Sequence, residues 1–256
     1  MDGDDTTRDA FCDWYLDRLL APPRAAVERI GRPVTTLSGG AWWPHDPHPG
    51  DVCAADFPAL ALVMRWGGQM RYAPSHPRAG KLATYSVGQH SCLVYELVTE
   101  LGGNVVERAL ALYHDLHESK PPGDVQRPVI VGDGHGVAEL RMMSRMAAIC
   151  HRHALRLPYD LPAIVRHADD VMLATERRDL IAWGDGIPPM AGPPPRARLI
   201  EAWDADHTED AFMRRHAQIQ DELQAMGVGN VGTGMYLGVD GSLHYYDCAS
   251  AAEAAI

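Results

Sequence analysis

A chain of 256 residues with 46% apolar side chains is long enough to bury a sizeable core as one large domain, or as one domain with terminal additions. Its formal charge of −11 argues against a partner such as a nucleic-acid polymer, whose backbone needs clustered cations to release its counterions. No run approaches the roughly 18 apolar residues of a membrane span, and the acidic start "MDGDDTTRDA" is unlike a basic secretory leader, so a cytoplasmic chain with no membrane partner is expected.

In chain order the pattern is mostly helical. Thr6 to Leu20 carries Phe11, Trp14 and Tyr15 on one side of a short predicted helix that stops at Pro22-Pro23. "RPVTTLSGGAWWPHDP" has β-type residues around Gly39-Gly40 and predicts a small hairpin. Asp56 to Trp66 predicts a helix with Asp56 at its cap, and Tyr72 to Thr84 a polar loop with Arg71, His76, Arg78 and Lys81 in or beside it. Ser86 can cap a helix from Val87 to about Leu101, and Asn104-x-x-Glu107 is a capping-box start for the next. "VAELRMMSRMAAICHRHAL" and "LPAIVRHADDVMLATERRDLIAW" keep the 3.6-residue rhythm. The Pro-rich stretch 187–197 predicts a loop, Asp206 to Met226 a last helix, and "GMYLGVDGSLHYYD" a hairpin turning at Asp240-Gly241. The chain thus divides into an N-terminal helical extension (1–34), a main domain (35–226) and a tail (227–256). Its five cysteines, 12, 53, 92, 150 and 248, are scattered, odd in number and without C-x-x-C; they read as reduced core thiols.

One stretch breaks the apolar logic. In "LALYHDLHES", Leu110 to Ser119, the run is interrupted by His114-Asp115 and then Glu118. Burying such groups unpaired costs roughly 2 kcal/mol or more. His90 shares its helix stripe with Val94, Leu97 and Leu101, Glu118 stands i+4 from His114, and Asp169 lies between Val165 and Leu173 at i−4 and i+4. Three predicted helices therefore turn metal-type side chains inward. Singly, each reads as a core histidine or a surface carboxylate. Jointly, His90, His114, Asp115 and Asp169 read as ligands of one divalent ion, and mixed nitrogen and oxygen donors suit Mn, Fe, Co, Ni or Zn better than Ca.

"YSVGQHSCLVYELV", "ALALYHDLHESKPPGDVQRPV" and "HADDVMLATERRDL" together resemble the HD-domain phosphohydrolases, most nearly their bacterial and phage 5'-deoxynucleotidase-like branch. The resemblance runs from about Thr35 to Trp183 and takes in "TLSGGAWWPHDPHPGDV" and "ALALVMRWGGQ". It implies an all-α HD-domain helical bundle with short β-hairpin additions near the N-terminus and C-terminus. It also implies one divalent transition metal (Co, Mn, Zn, Ni or Fe) on His90, His114, Asp115 and Asp169. Asp170 is the rival of Asp169, but the family places its ligand directly after Ala168. Glu118 matches the residue that handles protons, Asp124 a second acid at the substrate end, and Arg65 a phosphate-binding arginine. Lys120, Arg127 and the loop cations can add positive charge, and Trp66, like Trp42 and Trp43, is a candidate to stack a base or to anchor the core.

The activity so implied is metal-dependent hydrolysis of a small-molecule nucleotide, deoxynucleoside 5'-monophosphate to nucleoside and phosphate, by a homo-oligomer. The rivals are a triphosphohydrolase that releases intact triphosphate from deoxynucleoside triphosphates, and a non-catalytic nucleotide-binding regulatory module. A di-iron oxygenase would need further inward histidines. Of those available, His117 falls on the shoulder of its stripe, and His151 and His153 are expected to be solvated. Arg177 and Arg178 are expected to pair with Glu176 and Asp179 on a helix surface. The departure from the family pattern is the lengthened loop "MRYAPSHPRAGKLAT", which bears on substrate selectivity.

Overall fold

In a computed structural model the described residues are 32–38, 41–65, 70–124, 137–155, 157, 160–181, 192–226, 235–237 and 243–245. They form helices α1 (Asp56–Ala59), α2 (Val87–Glu100), α3 (Val105–Tyr113), α4 (Val137–Leu155), α5 (Ala163–Asp179) and α6 (Ala205–Ala225). Three antiparallel two-stranded pairs accompany them: β1 (Val34–Thr35) with β2 (Ala41–Trp42), β3 (Met70–Arg71) with β4 (Leu82–Ala83), and β5 (Met235–Leu237) with β6 (Leu243–Tyr245). The predicted Thr6 to Leu20 helix and the tips of the first and last hairpins lie outside the described residues.

The α2–α3 hairpin sets the frame. Ser86 accepts from Gln89 N–H and starts α2. The helix closes on Gly102 at φ 82°, where Gly102 N–H bonds Thr99 O and Gly103 N–H bonds Val98 O. Only a residue without Cβ adopts that left-handed turn at no cost. Asn104 and Glu107 then form a reciprocal capping box for α3. Because the two helices run back on each other, the first turn of α2 lies beside the last turn of α3. That juxtaposition brings His90 to His114. Helices α5 and α6 pack on the same pair, and Val94, Val98, Ala109, Leu112, Val165, Met172 and Phe212 are buried in one core. A smaller cluster seats Trp42 against Met146, Ala147 and Cys150 of α4.

The predicted helix from Asp56 to Trp66 is a single turn. After Ala59 its backbone pairs with the start of α2: Gly88 N–H bonds Leu60 O, Val87 N–H bonds Val63 O, and Arg65 N–H bonds Tyr85 O. A Cβ on Gly88 would stand 3.1 Å from Ala61 N and Leu60 C, so this close approach depends on glycine. Asp56 is not the cap residue, which is Ala55. Residues 72–84, read as a loop, follow β3 and contain β4, which pairs back with it, and their His76 is buried with its Nε2 at 3.1 Å from Ile200 O.

Candidate metal centre

Helix α3 ends at Tyr113, His114 and Asp115 turn, and Leu116–Ser119 forms a 3-10 turn. The α-helical i, i+4 stacking expected for His114 and Glu118 is therefore replaced by a tighter turn. The same residues nevertheless meet α2 and α5. His90 Nε2 lies 3.2 Å from His114 Nε2 and 3.1 Å from Asp169 Oδ1. His114 Nε2 lies 3.2 Å from Asp115 Oδ2. The wider separations are 3.7 Å from His90 Nε2 to Asp115 Oδ2 and 3.9 Å from His114 Nε2 to Asp169 Oδ1. Neighbouring donors on an ion with bonds of ~2.1 Å stand about 3.0–3.4 Å apart; the three shorter separations fall in that range, and His90, His114 and Asp115 form a set whose ligand atoms all lie within 4.8 Å of one another, with Asp169 reaching it through His90.

Their hydrogen bonding agrees. His90 Nδ1 is 2.6 Å from Glu176 Oε1, and His114 Nδ1 is 2.8 Å from Ala111 O. Both acceptors place the ring proton on Nδ1 and leave each Nε2 with a lone pair. Two lone pairs and two carboxylates then face one point, an arrangement that fits a cation. Without one, a proton takes its place. Burial and Arg65 pull the His90 imidazole down, yet Glu176 and Asp169 outweigh them and raise it from 6.5 to about 9. Burial works against ionised Asp169, but the hydrogen bond from His90 and the charges of His114 and His90 hold it at about 2. Asp115 is likewise held well below the ordinary carboxylate range against burial, by His114, Arg65 and His90. Asp170, the rival, is exposed.

Arg65 emerges where the backbone pairs with Tyr85. Its Nε donates to Glu176 Oε2 at 3.1 Å and an NH group to Asp115 Oδ2 at 3.2 Å. Glu118 lies beside Asp115, with its backbone N–H on Asp115 O at 2.9 Å. Burial first, then the charges of Asp115 and Asp124, push its carboxyl well above the usual range, with Arg65 opposing. Asp124 follows Gly123, which has φ 77°, and its charge reaches both Glu118 and Arg65. Trp66 and Arg127 lie outside the described residues.

Lys120 does not present its charge to this centre. It is buried, with Nζ 2.6 Å from Asp56 Oδ1 and 5.5 Å from the centroid of the Trp42 ring. The ammonium is committed to a structural pair. His151 is not solvated: it is buried, its Nδ1 is 2.8 Å from Ala147 O, and burial takes it down to about 3. Trp42 is a buried anchor resting on His151 at 5.6 Å between ring centroids. Cys92 and Cys150 are buried thiols, whereas Cys53 is exposed.

Glu176 departs furthest from expectation. It is fully buried and collects His90 Nδ1, Tyr85 OH at 3.0 Å and Arg65 Nε. It stands i+7 from Asp169, two helical turns along the same face, and that spacing is the signal that marks it. Arg178 does pair with Asp179, at 2.6 Å, although Asp179 itself is buried.

The chain matches no protein-family model and no curated protein with which it was compared. Among the described residues, no helix is long and apolar enough to cross a membrane.

Proposed function

We propose that the chain is an HD-type, metal-dependent phosphohydrolase that converts deoxynucleoside 5'-monophosphates to nucleoside and inorganic phosphate. The observation that carries this reading is the convergence of His90 Nε2, His114 Nε2, Asp115 Oδ2 and Asp169 Oδ1 from three segments, with both imidazole Nδ1 atoms engaged elsewhere. His90, His114, Asp115 and Asp169 would hold one divalent transition metal. Such an ion lowers the pKa of bound water from 15.7 toward about 7 and polarises a phosphoryl oxygen.

The chain's own groups supply the rest. Glu118, with its carboxyl held well above the usual carboxylate range by burial and by Asp115 and Asp124, takes a proton from the attacking water and returns one to the leaving oxygen. Arg65 is aimed at the centre by Glu176 and Asp115 and grips phosphate oxygens. A triphosphate would need further cations along its outer phosphates. Of the four candidates for that task, Arg78 pairs with Glu201 at 3.3 Å, Arg71 bonds Gly80 O, and Lys120 pairs with Asp56, while Lys81 is exposed. The commitment of three of the four supports the monophosphate.

The test is a screen of deoxynucleoside mono-, di- and triphosphates with Mn, Co, Ni, Zn and Fe, every product resolved. Phosphate release from monophosphates is the expected result. Rapid release of intact triphosphate with monophosphates untouched would overturn the choice of substrate.

A further inference from the structure

Asp115 belongs to two donor sets. One is His90, His114 and Asp115; the other is Asp115, His117 and Glu118, and within each set the ligand atoms all lie within 4.8 Å of one another. The reaction proposed above uses only the first as a metal site. We propose that Asp115, His117 and Glu118 hold a second divalent cation, with Asp115 bridging the two ions. This rests on the metal-dependent reading of the first set.

The turn after α3 creates the second set. In an α-helix, residues i and i+2 point about 200° apart, so Asp115 and His117 would face opposite ways. The 3-10 turn at Leu116–Ser119, with three residues per turn, brings Glu118 over Asp115 and swings His117 toward both. Glu118 Oε2 is buried and has no hydrogen-bond partner. A carboxylate oxygen left so is costly, and a cation satisfies it. The other Glu118 oxygen remains for proton transfer.

Charge gives an independent argument. Five carboxylates act on this pocket: Asp115, Glu118, Asp124, Asp169 and Glu176. Two guanidiniums answer them, Arg65 and Arg152, and Arg152 is shared with Asp160. Lys120 and Asp56 cancel each other. Counted with the histidines neutral, as metal ligation requires, and Glu118 ionised, as a cation's ligand is, one divalent ion leaves the pocket one charge negative, which repels a phosphate dianion. A second ion reverses the sign. Mixed nitrogen and oxygen donors fit a first-row ion, and paired ions ~3.5–4 Å apart clamp the attacking and leaving oxygens of an in-line displacement.

The experiment uses the full chain, stripped by chelator and dialysed against Mn²⁺. Wild type is expected to bind two ions per chain and to give the exchange-coupled electron paramagnetic resonance spectrum of a Mn pair. His117→Ala is expected to bind one and to give the spectrum of isolated Mn, with circular dichroism showing that the fold is kept. If that variant does not fold, Glu118→Gln carries the same comparison. One uncoupled ion in wild type, or two in a folded His117→Ala, overturns the second site and leaves the first. No bound ion in wild type overturns both.

Discussion

Two regions of this molecule bury charge, and they do it differently. Under Trp42, Lys120 and Asp56 are sealed together at 2.6 Å, and Asp56 also accepts from Ser38 Oγ at 2.7 Å and Cys53 N–H at 2.9 Å. Cation and anion are equal in number, and both Asp56 oxygens have donors. At the end of the α2–α3 hairpin, His90, His114, Asp115, Asp169 and Glu118 gather acceptors with too few donors, and Glu118 Oε2 has none. A balanced buried cluster is complete within the chain and stabilises only the fold. An unbalanced one is complete only with a ligand, which is why function is read from the second and not from the first.

The sharpest break in this comparison comes from removing one partner in each region. Lys120→Met should destabilise the fold by about 3–5 kcal/mol, because Asp56 is left charged and buried without its cation. Denaturant melts measure this, and metal content in the folded fraction should be unchanged. A melt like wild type would contradict the closed-pair reading. In the other region, Glu118→Gln should leave stability and the first ion in place yet lower turnover roughly 10²-fold, the scale for losing a positioned acid/base. Undiminished turnover would remove Glu118 from proton handling.

Glu176→Gln tests how the open centre is held. Loss of the carboxylate that orients His90 and Arg65 should weaken metal affinity about 10–100-fold, read by competition with a chelator. A smaller effect sharpens the contrast by pH. In the ion-free chain the His90 proton stabilises the fold, since Glu176 and Asp169 together outweigh burial and Arg65 and raise the imidazole from 6.5 to about 9. That contribution is complete below pH 6.5 and is lost as the pH rises through about 9. The melting temperature of the ion-free protein should fall across that window. In the metal-loaded protein, whose His90 is already deprotonated, the fall should vanish.

Much of the frame was legible because its causes are local. The Ser86 cap, the Asn104/Glu107 box and the stripes that carry His90 and Asp169 each depend on residues within a few turns. What escaped depends on partners far along the chain. Asp56 to Trp66 reads as a helix until the start of α2 takes its carbonyls, over a contact that only Gly88 permits. Lys120 reads as a substrate cation until Asp56, 64 residues away, neutralises it. Glu176, beside two arginines, reads as a surface residue, and its i+7 relation to Asp169 counts only once Asp169 is known to face inward. His117 falls off the stripe of an α-helix that ends four residues earlier.

The central claim is that an uncompensated set of donors around His90 binds a cation through Asp169 and not through its neighbour. Metal content after loading and gel filtration, measured side by side in wild type, Asp169→Ala and Asp170→Ala, tests it most directly. The account predicts at least one ion per chain in wild type and in Asp170→Ala, and sharply reduced occupancy in Asp169→Ala. Equal metal content in wild type and Asp169→Ala would contradict it.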